Sequence, residues 1–476
     1  MFKKATPVAL ILCLIVSVLA SAQESWSLEQ CVRYAQQNSL SVKQAQTTIQ
    51  TNELNLKQSR FNRLPNLSAS TTYGWNFGLS LNPLTNTLSN VSSGFNSIGL
   101  SGGVTVFGGN QINNGIKQDK LSLEASRLDA ADIVNTISLD VATAYLNILL
   151  GQEQLEIAQQ QLSISQVQLD QIERLIRAGA RAENERYDLL AQIARNEQSI
   201  IQAQNTIDAS YLSLKQAMNL DPNTDITIQR PQVNVPADAN PDRFVLNEVF
   251  TTALGTQPQI RANELRVEAA QTGVDVAKGA LLPTLSLFGN LDTRFSTEGI
   301  RITGTSIERV EQTVFLDNTP VTFGFDQEIN TFDDNPYFDQ LRENFGQNFG
   351  LNLRIPIFNN LSNRINVQRA QVNILSSEVQ NQQGRQLLKT NIQQAIANAR
   401  AAKRSYDAAL KAVESSQIAF DNAQKRFDLG AINSLEYTTA RNNLDQAQVS
   451  LVQAKYQYVF NVKVVEFYLG KEIKID

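Results

Sequence analysis

Apolar residues recur along this chain in two rhythms. Between residues 137 and 176 they alternate steps of four and three: Ile137, Val141, Ala144, Ile148, Gly151, Leu155, Ala158, Leu162, Ser165, Leu169, Ile172 and Ile176. That period of 3.5 is the seam of a left-handed coiled coil. Adding 251 to each position gives Leu388, Ile392, Ala395, Ala399, Ala402, Tyr406, Ala409, Val413, Ser416, Phe420, Ala423 and Phe427, the same seam again. Val106-Phe107-Gly108-Gly109-Asn110 and Ile357-Phe358-Asn359-Asn360-Leu361 share the offset, as do Gly179 and Gly430. The chain is therefore a tandem repeat. Many seam residues are small, which lets neighbouring helices approach closely.

The second rhythm has period two. Leu67, Ala69, Thr71, Tyr73, Trp75, Phe77 and Leu79 alternate with Ser68, Ser70, Thr72, Gly74, Asn76 and Gly78. Ile98, Leu100, Val104 and Val106 form a second such run. The other copy has Leu285, Leu287, Leu291 and Phe295, then Phe349, Leu351, Leu353, Ile355 and Ile357, each set against polar or glycine neighbours. Alternation over about ten residues with aromatics near the ends is the pattern of transmembrane β-barrel strands, and it is favoured here over a half-buried soluble sheet.

These patterns divide the chain into a leader at 1–22, a half-helix at 23–64, a β-hairpin at 65–107 and a long helical hairpin at 108–220 with its tip at Gly179. A Pro/Asp/Asn-rich linker at 221–243 leads into the second copy. That copy has a half-helix at 244–282, a β-hairpin at 283–358 and a long helical hairpin at 359–476 with its tip at Gly430. The long helix of each copy spans ~100 Å at 1.5 Å per residue. Its returning partner is about half as long, so the half-helix completes the second column. The junctions at Pro65, Phe107, Pro283 and Phe358 fall on one side of the strands, and the helices are expected to project from that side.

The fold class is thus mainly α with a transmembrane β part. Four strands cannot close a barrel, because the smallest single-chain outer-membrane barrels have eight. Lipid does not tolerate open edges, so several chains must share one barrel. Two copies supply eight strands and three supply twelve. The hairpin ends opposite the helices, roughly 80–95 and 297–345, read as loops. The second is long and acidic, with ten Asp/Glu against three Arg, and reads as a solvated surface loop in preference to extra strands or a lid at the outer mouth.

Composition narrows the class further. Lys3 and Lys4, the apolar run Val8–Leu19 and Ala20-Ser21-Ala22 form a cleavable secretory leader. Beyond it no segment offers the ~20 apolar residues of a spanning helix. The net charge is -5, and loss of the leader's two lysines makes it more negative, which argues against a nucleic-acid surface. The sequence contains no histidine, which removes Ser-His-Asp and Cys-His catalysis and histidine metal sites. There is no phosphate-binding glycine loop. No enzyme, metal or cofactor is expected. After leader removal Cys31 is the one cysteine, so no internal disulfide forms.

Helix breaks complete the picture. Gly179 and Gly430 can take the positive φ that ends a helix and turns the chain. Asn433 or Ser434 is placed to cap the returning helix, with Glu436 in its first turn.

The order of half-helix, β-hairpin, long helix and glycine-broken turn, repeated once over essentially the whole mature chain, resembles the TolC-like outer-membrane efflux proteins. Arg426-Phe427-x-x-Gly430 followed by Glu436 is similar to the family's tip motif. "WSLEQCVRYAQQNSLSVKQA" (26–45) and "RLPNLSAS" (63–70) are similar to its opening helix and first strand. The resemblance implies a homotrimer in the outer membrane of a Gram-negative bacterium, with a shared twelve-stranded barrel and a helical tunnel in the periplasm. Its partners are a periplasmic adaptor protein and an inner-membrane transporter. It further implies a periplasmic aperture or gate at Glu436, Tyr437 and Phe427, with Glu185, Tyr187 and Asp188 as counterparts in the first copy. Three copies of Glu436 would form a carboxylate ring that favours cations and holds a multivalent one. Thr439 stands where the family often has a second acid. Leu175 replaces the motif arginine in the first copy, whose turn is two residues longer. Leu429, Ala431 and Ala178 beside the two glycines are the candidate adaptor contacts. The competing reading is a periplasmic coiled-coil scaffold or adaptor without a barrel.

Overall fold

The computed structural model describes residues 25–81, 88–231, 233, 235 and 240–471. The leader expected at 1–22 lies outside them. The chain divides into two compact units. One contains the described residues up to Leu54, Lys120–Ala270 and those from Asn373 onward, and the other contains Asn55–Asp119 and Gln271–Val372.

The helices run in matched sets. α1 (Leu28–Asn38) and α2 (Leu40–Phe61) precede the first strands, and α3 (Gln111–Arg177) and α4 (Asn184–Met218) follow them. The second copy has α5 (Leu246–Thr256) and α6 (Pro258–Gly279), then α8 (Ser362–Asp428) and α9 (Ser434–Tyr468) after the short α7 (Tyr337–Glu343). Both α3 and α8 have 67 residues, and both α4 and α9 have 35. The half-helices expected at 23–64 and 244–282 are each broken in two. α1 begins with a capping box in which Ser27 and Gln30 satisfy each other's backbone amides. The chain then turns extended at Ser39. In the second copy the break falls at Gln257, whose extended backbone is what the following Pro258 imposes.

The seam is the core of the first unit. Every one of its positions in α3 and α8 is buried or half-buried. Around Ile137, Val141 and Ile148 the α3 seam, with the adjoining Tyr145 and Leu149, packs with Cys31 and Ala35 of α1, Leu214 and Met218 of α4, and Val459 of α9. Burial pushes the Cys31 thiol up to about 12, so this cysteine behaves as an inert small hydrophobe. α3 also corrects one expectation. It contains a stretch long and apolar enough, by composition, to cross a membrane. Much of its apolar surface is packing surface, because this helix supplies the largest share of the core cluster. The linker docks on the same core: Trp26 and Ile228 form a parallel bridge, and the Tyr145 hydroxyl donates to the Gln229 carbonyl at 2.6 Å.

In the second unit β1 (Asn66–Leu81), β2 (Leu88–Gly108), β3 (Thr284–Ser296) and β6 (Gly346–Arg354) form an antiparallel sheet in the order β1-β2-β3-β6. Its register aligns the apolar alternation across strands. Ala69 pairs with Leu100 and Leu100 with Leu291; Leu287 pairs with both Val104 and Leu351. The other face carries Ser68 hydrogen-bonded to Ser101, with Ser286, Asn290 and Asn348. The apolar face is uncovered, with Phe349 84% exposed. Among the described residues, β1 and β6 end the sheet with unpaired edges.

The loop expected at 80–95 is shorter than that, since pairing of β1 with β2 persists to Leu81 and Leu88. The preferred loop reading of 297–345 is corrected more strongly, in favour of the extra strands weighed against it. The segment contains β4 (Ile300–Leu316), β5 (Thr319–Asp334) and α7, with β4 and β5 forming a separate two-stranded sheet. Asp317 and Asn318 turn the chain with φ of 45° and 66°. Such left-handed pairs suit the twist of a tight hairpin.

Candidate functional site

Both hairpin tips lie in the first unit and end their long helices alike. Gly179 has φ 71° and Gly430 has φ 72°. The Gly179 amide donates to the Ile176 carbonyl and the Ala180 amide to that of Leu175. Gly430 and Ala431 do the same with Phe427 and Arg426. This double bond pattern needs a left-handed residue after the helix, and glycine adopts that conformation without the Cβ penalty. The returning helices start differently. Asn433 Oδ1 accepts from the Glu436 amide at 2.9 Å, a side-chain N-cap, whereas α4 has none.

Between these turns sits a small aromatic cluster. Tyr437 is only 5% exposed, stacked on Phe427 at 4.7 Å with an interplanar angle of 24°, and tilted against Phe420. Ile432 and Leu444 complete the packing. The Tyr437 hydroxyl accepts a hydrogen bond from Gln168 Nε2 of α3. Burial pushes the phenol above its ordinary range. Tyr437 and Phe427, expected at the aperture, are thus packing residues of the tip within the chain.

Arg181 joins the two tips. Its Nη2 donates to the Phe427 carbonyl at 2.7 Å and its guanidinium lies 4.3 Å from the centre of the Phe427 ring. Nη1 stands 3.6 Å from Glu185 Oε2, an ion contact that falls short of a hydrogen bond. Glu185 is therefore largely buried and paired. On the next turn of α9, Arg441 Nε lies 2.9 Å from Asp445 Oδ1 and its guanidinium 5.1 Å from the Phe420 ring. Burial raises the Asp445 carboxyl above its usual range, and Arg441 pulls it partly back.

The remaining candidates separate by exposure. Glu436 points to solvent with Thr439 beside it, along a shallow depression of about 390 Å³ that also includes Leu435, Ala440 and Asn443. Tyr187 is exposed and Asp188 half-buried. Gly179, Ala178, Ala431 and Leu429 form exposed turn surface, with Leu429 84% exposed. Arg181, Gln168, Arg441 and Asp445 escaped the sequence reading. The available signal for Arg181 was the extra length of the first turn, which is where this arginine resides.

The fold is that of the TolC-like channels. The structure resembles CusC, with a TM-score of 0.74 at 18% identity over 93% of this chain and 91% of that one. It also resembles the outer membrane protein VceC of Vibrio cholerae, with a TM-score of 0.73 at 16% identity over 94% and 97%. In sequence it is 27% identical over 168 residues to the pyoverdine export outer membrane protein OpmQ of Pseudomonas putida. That match spans 35% of this chain and 34% of OpmQ. The profile of the outer membrane efflux protein family matches residues 32–220 and 249–471. The chain belongs to this family, whose members reside in the outer membrane with a large periplasmic part and work in tripartite efflux systems with an adaptor and an inner-membrane transporter.

Proposed function

We propose that this chain is one protomer of a homotrimeric outer-membrane channel that passively conducts efflux substrates delivered by a periplasmic adaptor protein and an inner-membrane transporter. The observation that carries the reading is the four-stranded sheet. Among the described residues nothing covers its apolar face or pairs with either of its edges. A membrane accepts neither edge unless other copies pair with it, and three copies supply twelve strands. A periplasmic scaffold has no use for such a face, which favours the channel.

The gate in this reading is the pair of hairpin tips. Glu436, capped through its amide and free at its carboxylate, lines the periplasmic aperture with its two symmetry mates. Tyr187 and Asp188 contribute from the first copy of the repeat. Arg181 and Tyr437 hold the tips together in the resting state. Leu429, Ala431 and Ala178 meet the adaptor, which biases the tips outward.

Bilayer conductance tests both levels. The detergent-extracted protein is expected to insert as a steady, cation-selective pore blocked by divalent cations from the tip side. Glu436→Gln is expected to lose selectivity and block while retaining insertion, because it removes a ring of charge and leaves the amide cap intact. A protein that never inserts defeats the channel. Unchanged selectivity and block in the variant defeat only the role of Glu436.

A further inference from the structure

We infer that the β4–β5 hairpin is an interlocking surface whose more apolar face packs against neighbouring copies of this chain at the end of the shared sheet. The inference rests on the reading that several copies close one barrel.

The hairpin is long. Its 17- and 16-residue strands stay in register from Ile300↔Asp334 to Leu316↔Thr319, with one bulge near the base, and extend roughly 50 Å. It shares a sheet with no other described strand and packs broadly on no other described element. A lone two-stranded hairpin is at best marginally stable in water, so a hairpin of this length calls for a partner.

Its two faces differ. Directly paired residues share a face, which puts Val310 with Phe325, Gln312 with Phe323, and Val314 with Val321 on one side. Leu316 and Ile329 continue that side, and Phe323 is 47% exposed. Along the same stretch the opposite face holds Arg309 paired with Asp326, then Glu311 and Glu328. Near the turn, from Val310 to Val314, the first side is apolar except for Gln312; toward the base Glu308, paired with Gln327, lies on that same side, while Ile307 and Phe315 share the charged side.

Its base is fixed rather than free. Gln340 of α7 is buried and bonds the Ser296 amide, the Ser296 carbonyl and the Asn335 carbonyl. Gly299 lies so close that a Cβ there would come within 2.4 Å of the Gln340 amide group. The Tyr337 hydroxyl bonds Asn96, Thr293 bonds the Leu341 carbonyl, and Arg301 reaches Asp339 at 3.5 Å. The hairpin therefore stands in a set direction on the β2–β3 part of the sheet.

Two observations select another copy as occupant. The hairpin is inserted between β3 and β6, and β6 is an open edge that another copy must cover. A neighbour is therefore brought beside the hairpin by the same pairing that closes the sheet. Lipid is a poor alternative. Gln312 interrupts the apolar patch, Glu308 and Gln327 lie on the same face, and charged residues on a lipid face are unfavourable.

Spin labelling of the full chain, purified as its oligomer in nanodiscs, tests this. Gln312→Cys carries the label on the apolar face and Glu311→Cys on the charged face; Cys31 is buried and does not compete. The expected result is an immobilised label at 312 that has lost access to both a water-soluble relaxant and oxygen, beside a mobile, water-accessible label at 311. Phe323→Asp combined with Phe325→Asp is expected to keep the oligomer and lower the temperature at which it dissociates. Equal water access at 312 and 311 overturns the inference and leaves the channel reading standing. High oxygen access at 312 without water access overturns it in favour of lipid. A preparation that is monomeric even with the hairpin unaltered overturns the inference and the shared barrel together.

Discussion

Tyr437→Ala is expected to unfasten the periplasmic tip. Tyr437 touches Phe427 and Phe420, is surrounded by Ile432 and Leu444, and holds Gln168 of the other hairpin through its hydroxyl. Truncating a buried aromatic costs about 3–5 kcal/mol. That loss falls on a small apolar cluster separate from the larger cores, so local opening should precede any global effect. Hydrogen exchange is the measurement: amides in the first turns of α9 and the last turn of α8 should lose most of their protection, while those around Val141 and Ile392 keep theirs. Tyr437→Phe retains the stacked ring and removes one hydrogen bond, worth about 1 kcal/mol. It should sit close to the unaltered protein. If the alanine variant exchanges like the parent, the cluster does not hold the tip. If the phenylalanine variant opens as far as alanine, the bond to Gln168 is the fastening and the ring is incidental.

Leu351→Arg is expected to abolish assembly in the membrane. Leu351 lies in β6 on the uncovered face, paired with Leu287. An arginine near the bilayer midplane on a lipid-facing strand costs about 2–4 kcal/mol, and a shared barrel repeats that cost in every copy. Asn352, the next residue, pairs with Ser286 on the polar face. Asn352→Arg should assemble normally and change only conductance. Detergent-extracted oligomer recovered from the envelope provides the readout. Equal recovery of both variants would mean that the face assigned to lipid had been inverted, or that the sheet does not face lipid.

Much of this was legible in the sequence because the strongest signals are periodic. The 3.5-residue seam locates the core of the first unit from Ile137 to Ile172 and again from Leu388 to Phe420, since a helix face that is apolar every heptad has to be covered. The strand alternation gives the two sides of the sheet for the same kind of reason. Proline at 258 announced a break that the half-helix reading passed over, and Ser39 offers no comparable signal. The β4–β5 hairpin was outweighed by its charge: the acidic count of 297–345 favours a solvated loop over extra strands or a lid, yet near the turn Arg309, Glu311 and Asp326 share one face while Val314, Leu316, Val321, Phe323 and Phe325 keep strict alternation around Asp317-Asn318.

The tip was legible in part. Gly179, Gly430 and the Asn433 cap follow from local backbone chemistry, which a short window contains. Arg181 bonding the Phe427 carbonyl joins residues 246 apart in sequence, and no local rule pairs them. The resemblance implies Tyr437 at the aperture together with Glu436, but adjacent residues on a helix point about 100° apart. The spacing of Tyr437 to Arg441 and Leu444, four then three, is the seam of the returning helix and was the better guide.

The matched helices carry a consequence for how such a protein can change size. With 67 residues in both outgoing helices and 35 in both returning ones, the two repeats have kept equal reach. A seam of period 3.5 stays in phase only if residues are gained or lost seven at a time, a step of roughly 10 Å. The reach of the helical part is therefore quantised. A lineage facing a wider or narrower gap between its two membranes cannot adjust this duct by single residues; it must add or remove whole heptads from outgoing and returning helices in both repeats together.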